Sequence, residues 1–223
     1  MTKSQADYVT RVKEILQDEE GIITDPQIKT NLIGTVATYQ TRRPNYDVEE
    51  VSGDSSTYDH DLPTNWEAGF SWIDVIEYPV KETGKPQFLP RSSYSMLRTT
   101  AGIKIRTYSP FATGRTARIV YTKKHLLNDS DVTVPDSDFE AVSILTAAKC
   151  CSQLARYYAQ TARATIGADV VDYWERATHY STQKENLEKE FGILIPDEGG
   201  AIGEWDLSPR VDRNFIFDRK RNE

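Results

Sequence analysis

Apolar residues recur at three- and four-residue spacing in four stretches of the chain, two near each end. In the first, residues 2–18, Tyr8 or Val9, Val12, Ile15 and Leu16 form one stripe, with Thr2 or Ser4 placed to cap it and Gly21 interrupting it. The second opens at Thr24-Asp25-Pro26-Gln27. Thr24 and Gln27 have the spacing of a capping box, and Pro26 suits a first turn, where its missing N–H is no loss. Ile28, Leu32, Val36 and Tyr39 then share a face, and Arg42-Arg43-Pro44 ends it. The two stretches predict a helical hairpin that must dock on something larger, because neither is long enough to be stable alone.

Residues 45–65 are polar and read as loop or weak strand. Strand-like composition follows in Phe70 to Pro79, dense in β-branched and aromatic residues, with further strand candidates at Ser95 to Thr99, Ile103 to Tyr108 and Ala117 to Thr122. Ile103 and Ile105 alternate with Lys104 and Arg106. Ala117, Ile119 and Tyr121 alternate with Arg118, Val120 and Thr122. Pro110 and Gly114 lie between these last two runs, which predicts that they pair as an antiparallel hairpin in a small sheet with a wet face.

Helical periodicity returns after Pro135, with Asp136 or Ser137 as cap. Phe139, Val142, Leu145, Cys151, Leu154, Ala155, Tyr158 and Ala162 are its core candidates, and the alanines around them permit close approach on more than one face. Ile166-Gly167-Ala168-Asp169 breaks it. A last helix runs to Phe191, with Val170, Trp174, Ala177, Ser181, Lys184, Leu187 and Phe191 as the expected inner face. Beyond Pro196 a glycine-rich stretch leads to a polar segment carrying Trp205, Leu207, Phe215 and Phe217 and ending in Arg219-Lys220-Arg221. Aromatics on a tethered polar segment predict an arm that docks on a partner; a loose end folded back on its own domain is the plainer alternative. The expected divisions are 1–44 (helical hairpin), 45–134 (β-rich insertion), 135–195 (long helical pair) and 196–223 (extended arm).

Composition narrows the function. The 223 residues are 38% hydrophobic and 27% charged, with net charge -7, which argues against a dedicated nucleic-acid binder. The Arg219-Lys220-Arg221 cluster is the one feature that points the other way. No run of 18 apolar residues is present, so no membrane span is expected, and no basic-then-apolar leader pattern opens the chain. Cys150 and Cys151 are adjacent, and neighbours on a helix cannot reach disulfide geometry. They read as small buried apolar groups in a reducing compartment.

Candidate chemistry is sparse. His60, His125 and His179 have no metal-ligand spacing, so no metal is expected. There is no nucleophile elbow, phosphate loop or dinucleotide glycine pattern. Carboxylates are dense around residues 129–138, but nothing sets a pair apart for acid–base work. No catalytic residue and no cofactor is assigned.

The order of these signals resembles the head-to-tail adaptor (connector, or neck) proteins of tailed bacteriophages over roughly residues 2–191. The resemblance rests on the opening hairpin ending in Tyr39 and Arg42-Arg43-Pro44, then Leu62-Pro63, Trp66 and Glu77-Tyr78-Pro79. Val120-Tyr121-Thr122-Lys123-Lys124-His125, Val134-Pro135, Tyr157-Tyr158-Ala159 and Gly167-Ala168-Asp169 follow. The arm is not matched residue by residue.

The resemblance implies an α+β fold, a helical bundle with an inserted antiparallel sheet and an extended C-terminal arm. It also implies a homo-oligomeric cyclic ring of about 12 copies at the head–tail junction of the virion, made in the host cytoplasm. Such a ring sits beneath the portal protein, offers a platform to tail or nozzle proteins, and lets double-stranded DNA pass without sequence-specific contact. On this reading the portal-binding arm residues are Trp205, Leu207, Arg210, Arg213, Phe215, Phe217 and Arg219, and Ala148, Tyr158 and Trp174 are candidates for packing between copies. A head-closure or tail-completion role shares the architecture with a different partner. A virion-associated hydrolase would need a carboxylate pair or histidine dyad in a cleft.

Overall fold

The computed structural model describes residues 3–18, 20–81, 84–100, 102–128, 130–164 and 169–196. The fold is α+β, with four helices and two three-stranded antiparallel sheets in the order α1 (Gln5–Leu16), α2 (Asp25–Arg42), β1 (Asn45–Ser52), β2 (Asp59–His60), β3 (Ile73–Glu77), β4 (Tyr94–Thr99), β5 (Gly102–Thr107), β6 (Thr116–Lys123), α3 (Phe139–Ala164) and α4 (Asp169–Leu194). Among the described residues the helices belong to one compact unit and the strands to another. The strand unit ends at Lys124, ten residues short of the boundary expected from sequence at 134. His125, Leu127 and Val134 are buried with the helices. All seven expected arm residues, Trp205, Leu207, Arg210, Arg213, Phe215, Phe217 and Arg219, lie outside the described residues.

The helical unit is built from caps and stripes. Ser4 and Asp7 make a reciprocal capping box at α1, and Thr24 and Gln27 make one at α2. Tyr8, Val9, Val12 and Leu16 of α1 and Ile28, Leu32, Val36 and Tyr39 of α2 are buried, as their spacing predicts. They close on α3, whose Val142, Ala147, Ala148, Cys150, Cys151 and Leu154 are inaccessible to solvent. Small side chains let both neighbours approach this central helix. A single 3-10 turn, Asp136–Asp138, precedes α3, so the helix proper starts at Phe139 and the expected cap at Asp136 or Ser137 falls in that turn.

Helix α4 packs on α3 with part of the face expected: Ala177, Leu187 and Phe191 are buried as predicted, Lys184 is partly buried, and the Val170 side chain lies outside the described residues. Ala177, Leu187, Phe191 and Ile195 are buried and Tyr173 and Tyr180 pack against them, while Trp174 and Ser181 are exposed. Only in the first half of α4 do the tyrosines Tyr173 and Tyr180 take the places expected of Trp174 and Ser181, their rings offering apolar area to α3. Arg42 ties α2 to the end of α4: its guanidinium lies 5.0 Å from the Phe191 ring centroid and donates to the Ile195 carbonyl at 2.8 Å.

His125 fixes the place where the chain re-enters this unit. Its backbone N–H donates to Gln40 Oε1 at 3.3 Å. Its ring Nε2 lies 2.9 Å from the Arg43 carbonyl oxygen, and Nδ1 lies 3.2 Å from that of Thr133.

In the strand unit the sheet orders are β1-β6-β3 and β2-β5-β4. The expected β5–β6 hairpin does not form. β5 pairs with β4, Tyr94 facing Thr107 through Thr99 facing Gly102, and β6 pairs with β1, Asn45 facing Lys123 through Ser52 facing Thr116. Alternation marks a strand but not its partner, and a tighter connection closes β4 onto β5. There Gly102 takes a positive φ of 123°, and the Thr99 hydroxyl donates to the Gly102 carbonyl at 2.8 Å. The expected Ile103/Ile105 face is only half buried, since Ile105 lies in the core and Ile103 is exposed near the hairpin tip.

The polar stretch from residue 45 holds β1, a full strand whose pattern is inverted. Tyr46 and Val48 face solvent, whereas Asp47 turns inward to Lys123 (2.9 Å), Asn65 (3.1 Å) and the Tyr121 hydroxyl (3.2 Å). The core of the unit is Ile73, Ile76, Tyr94, Ile105, Phe111, Ala117 and Ile119.

Candidate functional site

The densest concentration of aromatic and charged side chains in the helical unit lies where α3 meets the first half of α4. Tyr173, Arg176, Ala177 and Tyr180 follow one another at three- and four-residue spacing, so they share one side of α4. Tyr158 of α3 stacks on this row. Its ring is parallel to Tyr180 (5.7 Å, 1°) and nearly so to Tyr173 (6.2 Å, 24°), with Tyr157 meeting it edge-on (5.4 Å, 76°).

The Arg176 guanidinium lies 5.6 Å from the Tyr158 centroid. Glu20, from the α1–α2 connection, accepts from the Tyr158 hydroxyl at 3.1 Å and pairs with Arg176. Asp172 stands 3.6 Å from the same guanidinium. Burial pushes the Tyr158 hydroxyl up to about 12, and the Arg176 and Tyr158 hydrogen bonds hold Glu20 below the usual carboxylate range.

These residues line a cavity of about 370 Å³. Tyr158 and Tyr180 contribute aromatic surface, α4 adds Asp172, Glu175 and His179, and the α1–α2 connection adds Asp18 and Glu20. The carboxylates of Asp18, Glu20, Asp172 and Glu175 outnumber the one guanidinium of Arg176. Asp18 Oδ2 accepts the Ile23 N–H at 2.8 Å, while Oδ1 is enclosed without a hydrogen-bond partner.

Of the three residues expected to pack between copies, Trp174 is 46% exposed. Ala148 is wholly buried and Tyr158 is 2% exposed, so both are used inside their own chain and offer no surface to a neighbour as placed. Glu20, Arg176 and Tyr180 were not singled out by sequence. The Tyr173/Arg176/Tyr180 spacing carries the signal for the last two, but nothing local marks Glu20, which arrives from another element.

The remaining candidate groups are dispersed. His60 is buried in the strand unit, stacked on Phe111 at 4.6 Å, and His125 holds the chain re-entry. Only His179 reaches the cavity. Burial pushes the Cys150 and Cys151 thiols up to about 11 and about 12. Among the described residues no group of three or more His, Cys, Asp or Glu is placed to hold a metal ion, and no helix is long and apolar enough to cross a membrane.

No protein-family model and no curated protein matches the chain.

Large apolar side chains stand in solvent on several elements of the helical unit: Ile33 of α2 (66% exposed), Tyr157 of α3, Trp174 of α4 and, at the end of α4, Ile193 (79%). In the strand unit Tyr46 and Val48 are exposed on one face of β1.

Proposed function

We propose that the chain is a structural virion protein, a head-to-tail adaptor. Copies would form a ring beneath the portal, extend the DNA channel and give the tail its platform. The observation that carries this reading is the placement of exposed apolar side chains on different helices of one unit, Ile33 on α2 against Tyr157 and Trp174 on α3 and α4. A heterologous ring contact needs two unlike surfaces per subunit, and Ile33 on one helix with Tyr157 and Trp174 on two others offers an apolar anchor to each.

The order of elements supports the same reading: two short helices, an inserted strand unit, and a long helical pair that completes the bundle around α3. The net charge of -7 suits a channel component, since a ring that is negative overall does not grip a polyanion passing through it.

Electron microscopy and analytical ultracentrifugation of the full chain, alone and mixed with the portal protein, test the proposal. The expected result is a ring seated on the portal. Trp174→Glu should prevent ring formation while leaving the monomer folded by circular dichroism, because Trp174 is already half in water. Trp205→Ala with Phe217→Ala should leave the ring intact and weaken its hold on the portal. A chain that stays monomeric with the portal and binds a tail protein instead would move it to the tail-completion role. Turnover of a cell-wall polymer that disappears on replacing one carboxylate would overturn the structural reading altogether.

A further inference from the structure

We infer that the outer edge of β4 is a strand-pairing site whose occupant is the β4 edge of a second copy, set antiparallel about a two-fold axis at Leu97. The inference rests on the strand unit alone and does not depend on the adaptor reading.

The register fixes which groups face that edge. The Thr107 N–H of β5 donates to the Tyr58 carbonyl at 2.9 Å, on the β2 side, and the Tyr108 N–H donates to the Ser93 carbonyl at 3.0 Å, on the β4 side. Backbone direction alternates along a strand. Arg106, Lys104 and Gly102 therefore point at β4 and bond their partners Ser95, Leu97 and Thr99. Met96 and Arg98 turn their N–H and C=O groups outward. Among the described residues nothing hydrogen-bonds to those groups.

The other three sheet edges are protected. On β1 the Asp47 carboxylate takes the Val48 N–H at 2.9 Å. The β3 edge is irregular between Ile73 and Val75, bridges to Phe88 at Glu77, and gives its Ile73 carbonyl to the Arg91 guanidinium at 2.8 Å. β2 is only two residues long. Short strands, bulges and charged groups turned onto the edge are how sheets avoid pairing with other chains, and β4 has none of them.

The composition of β4 fits its own copy. Met96 is 42% exposed, and Ile103, which faces Arg98 across the hairpin, is 43% exposed. Two copies set antiparallel about Leu97 place Met96 opposite Arg98 in both directions and Ser95 opposite Thr99. Each Met96–Arg98 pair exchanges two N–H···O=C bonds. Each methionine covers the apolar stem of the other copy's arginine, extending the row that Ile103 begins. No like charges meet. The same operation on β1 would bring Asp47, Glu49 and Glu50 against a second set of carboxylates. The β4 contact is isologous, unlike the heterologous helix contact of a ring, so the two can fail separately.

Disulfide trapping in the full chain tests this. In Leu97→Cys the two-fold brings the two Cα atoms about 4.5 Å apart, within disulfide reach. In Ser95→Cys they stand about 13 Å apart. Mild oxidation is expected to link L97C into a dimer and to leave S95C unlinked; Cys150 and Cys151 are buried and common to both. The yield should be unchanged in L97C/W174E, which removes the helix contact alone. Adding M96K to L97C sets a second cation against Arg98 at both pairs and should cut the yield about fivefold, and adding R98E as well should restore it. No L97C dimer from a folded chain, equal linkage through S95C, or a yield indifferent to M96K would overturn the inference. Hydrogen exchange at the Met96 and Arg98 amides should slow as the concentration of the chain rises. Slowing that needs the portal protein would assign the edge to that partner and overturn it too.

Discussion

At the scale of single residues, His125 shows how one side chain can hold a chain crossing. Both ring nitrogens face carbonyl oxygens and the ring lies 5.1 Å from that of Tyr39. Burial lowers its pKa from the ordinary 6.5, the carbonyl hydrogen bonds opposing only part of that effect. The unfolded chain therefore takes up a proton at higher pH than the native one. The stabilisation is full above about 6.5 and is lost as the pH falls through the lower native value. His125→Gln should cost about 1–2 kcal/mol at pH 7. It should also flatten the fall in urea midpoint between pH 7 and pH 5, with His60, shifted in the same direction by burial, supplying what remains. An undiminished fall would show that His125 does not drive it. The two thiols make a simpler case. Buried and held protonated at neutral pH, Cys150 and Cys151 should resist thiol reagents in the native protein and both react on unfolding, as a spectrophotometric thiol titration with and without urea would show.

At the scale of elements, β1 stays in place through polar contacts on its inner side. Asp47 is held at about 2, chiefly by the hydrogen bond from Lys123 and also by that from Asn65, against a burial that pulls the other way. Its contribution is present above the ordinary carboxylate value of 3.8 and disappears as the pH falls towards about 2. Allowing for solvent screening of a side chain 26% exposed, Asp47→Asn should cost about 1 kcal/mol at pH 7 and almost nothing near pH 2, measured by denaturant unfolding at both. Just beyond β1, a Cβ at Gly53 would lie 2.4 Å from the Ala112 carbonyl oxygen and 2.6 Å from that of Phe111. Backbone cannot yield as a side-chain tip can, so Gly53→Ala should destabilise the strand unit by about 2–3 kcal/mol in the same assay.

These elements also mark where sequence reading succeeds and stops. The stripes and boxes of α1 and α2 were fully legible, because capping and burial there are decided within a few residues. Four strands were legible as strands, yet their pairing was not, since nothing in the alternation of Ile103 to Tyr108 names β4 over β6 as its neighbour. β1 was legible only as loop or weak strand, because its inward Asp47 is satisfied by Lys123 and Asn65, residues that no local pattern brings to it. At the cavity, Tyr158 was visible as a large apolar residue and Glu20 was not, for the same reason.

At the scale of the whole molecule, the division into two units predicts how damage spreads. In the Gly53→Ala variant, hydrogen–deuterium exchange should rise across residues 45–124 and stay at wild-type levels in α1, α2, α3 and α4. A rise in the helices as well would mean that one cooperative transition governs both units.

The same division carries a consequence for how the protein is made. All of Asn45–Lys124 must leave the ribosome before α3 begins to emerge, which at ordinary rates of translation takes on the order of several seconds. Through that interval Ile28, Leu32, Val36 and Tyr39 have no central helix to close on. The nascent chain thus carries an unfinished half-bundle while its strand portion is already able to fold, and that window is when a holdase would have something to grip.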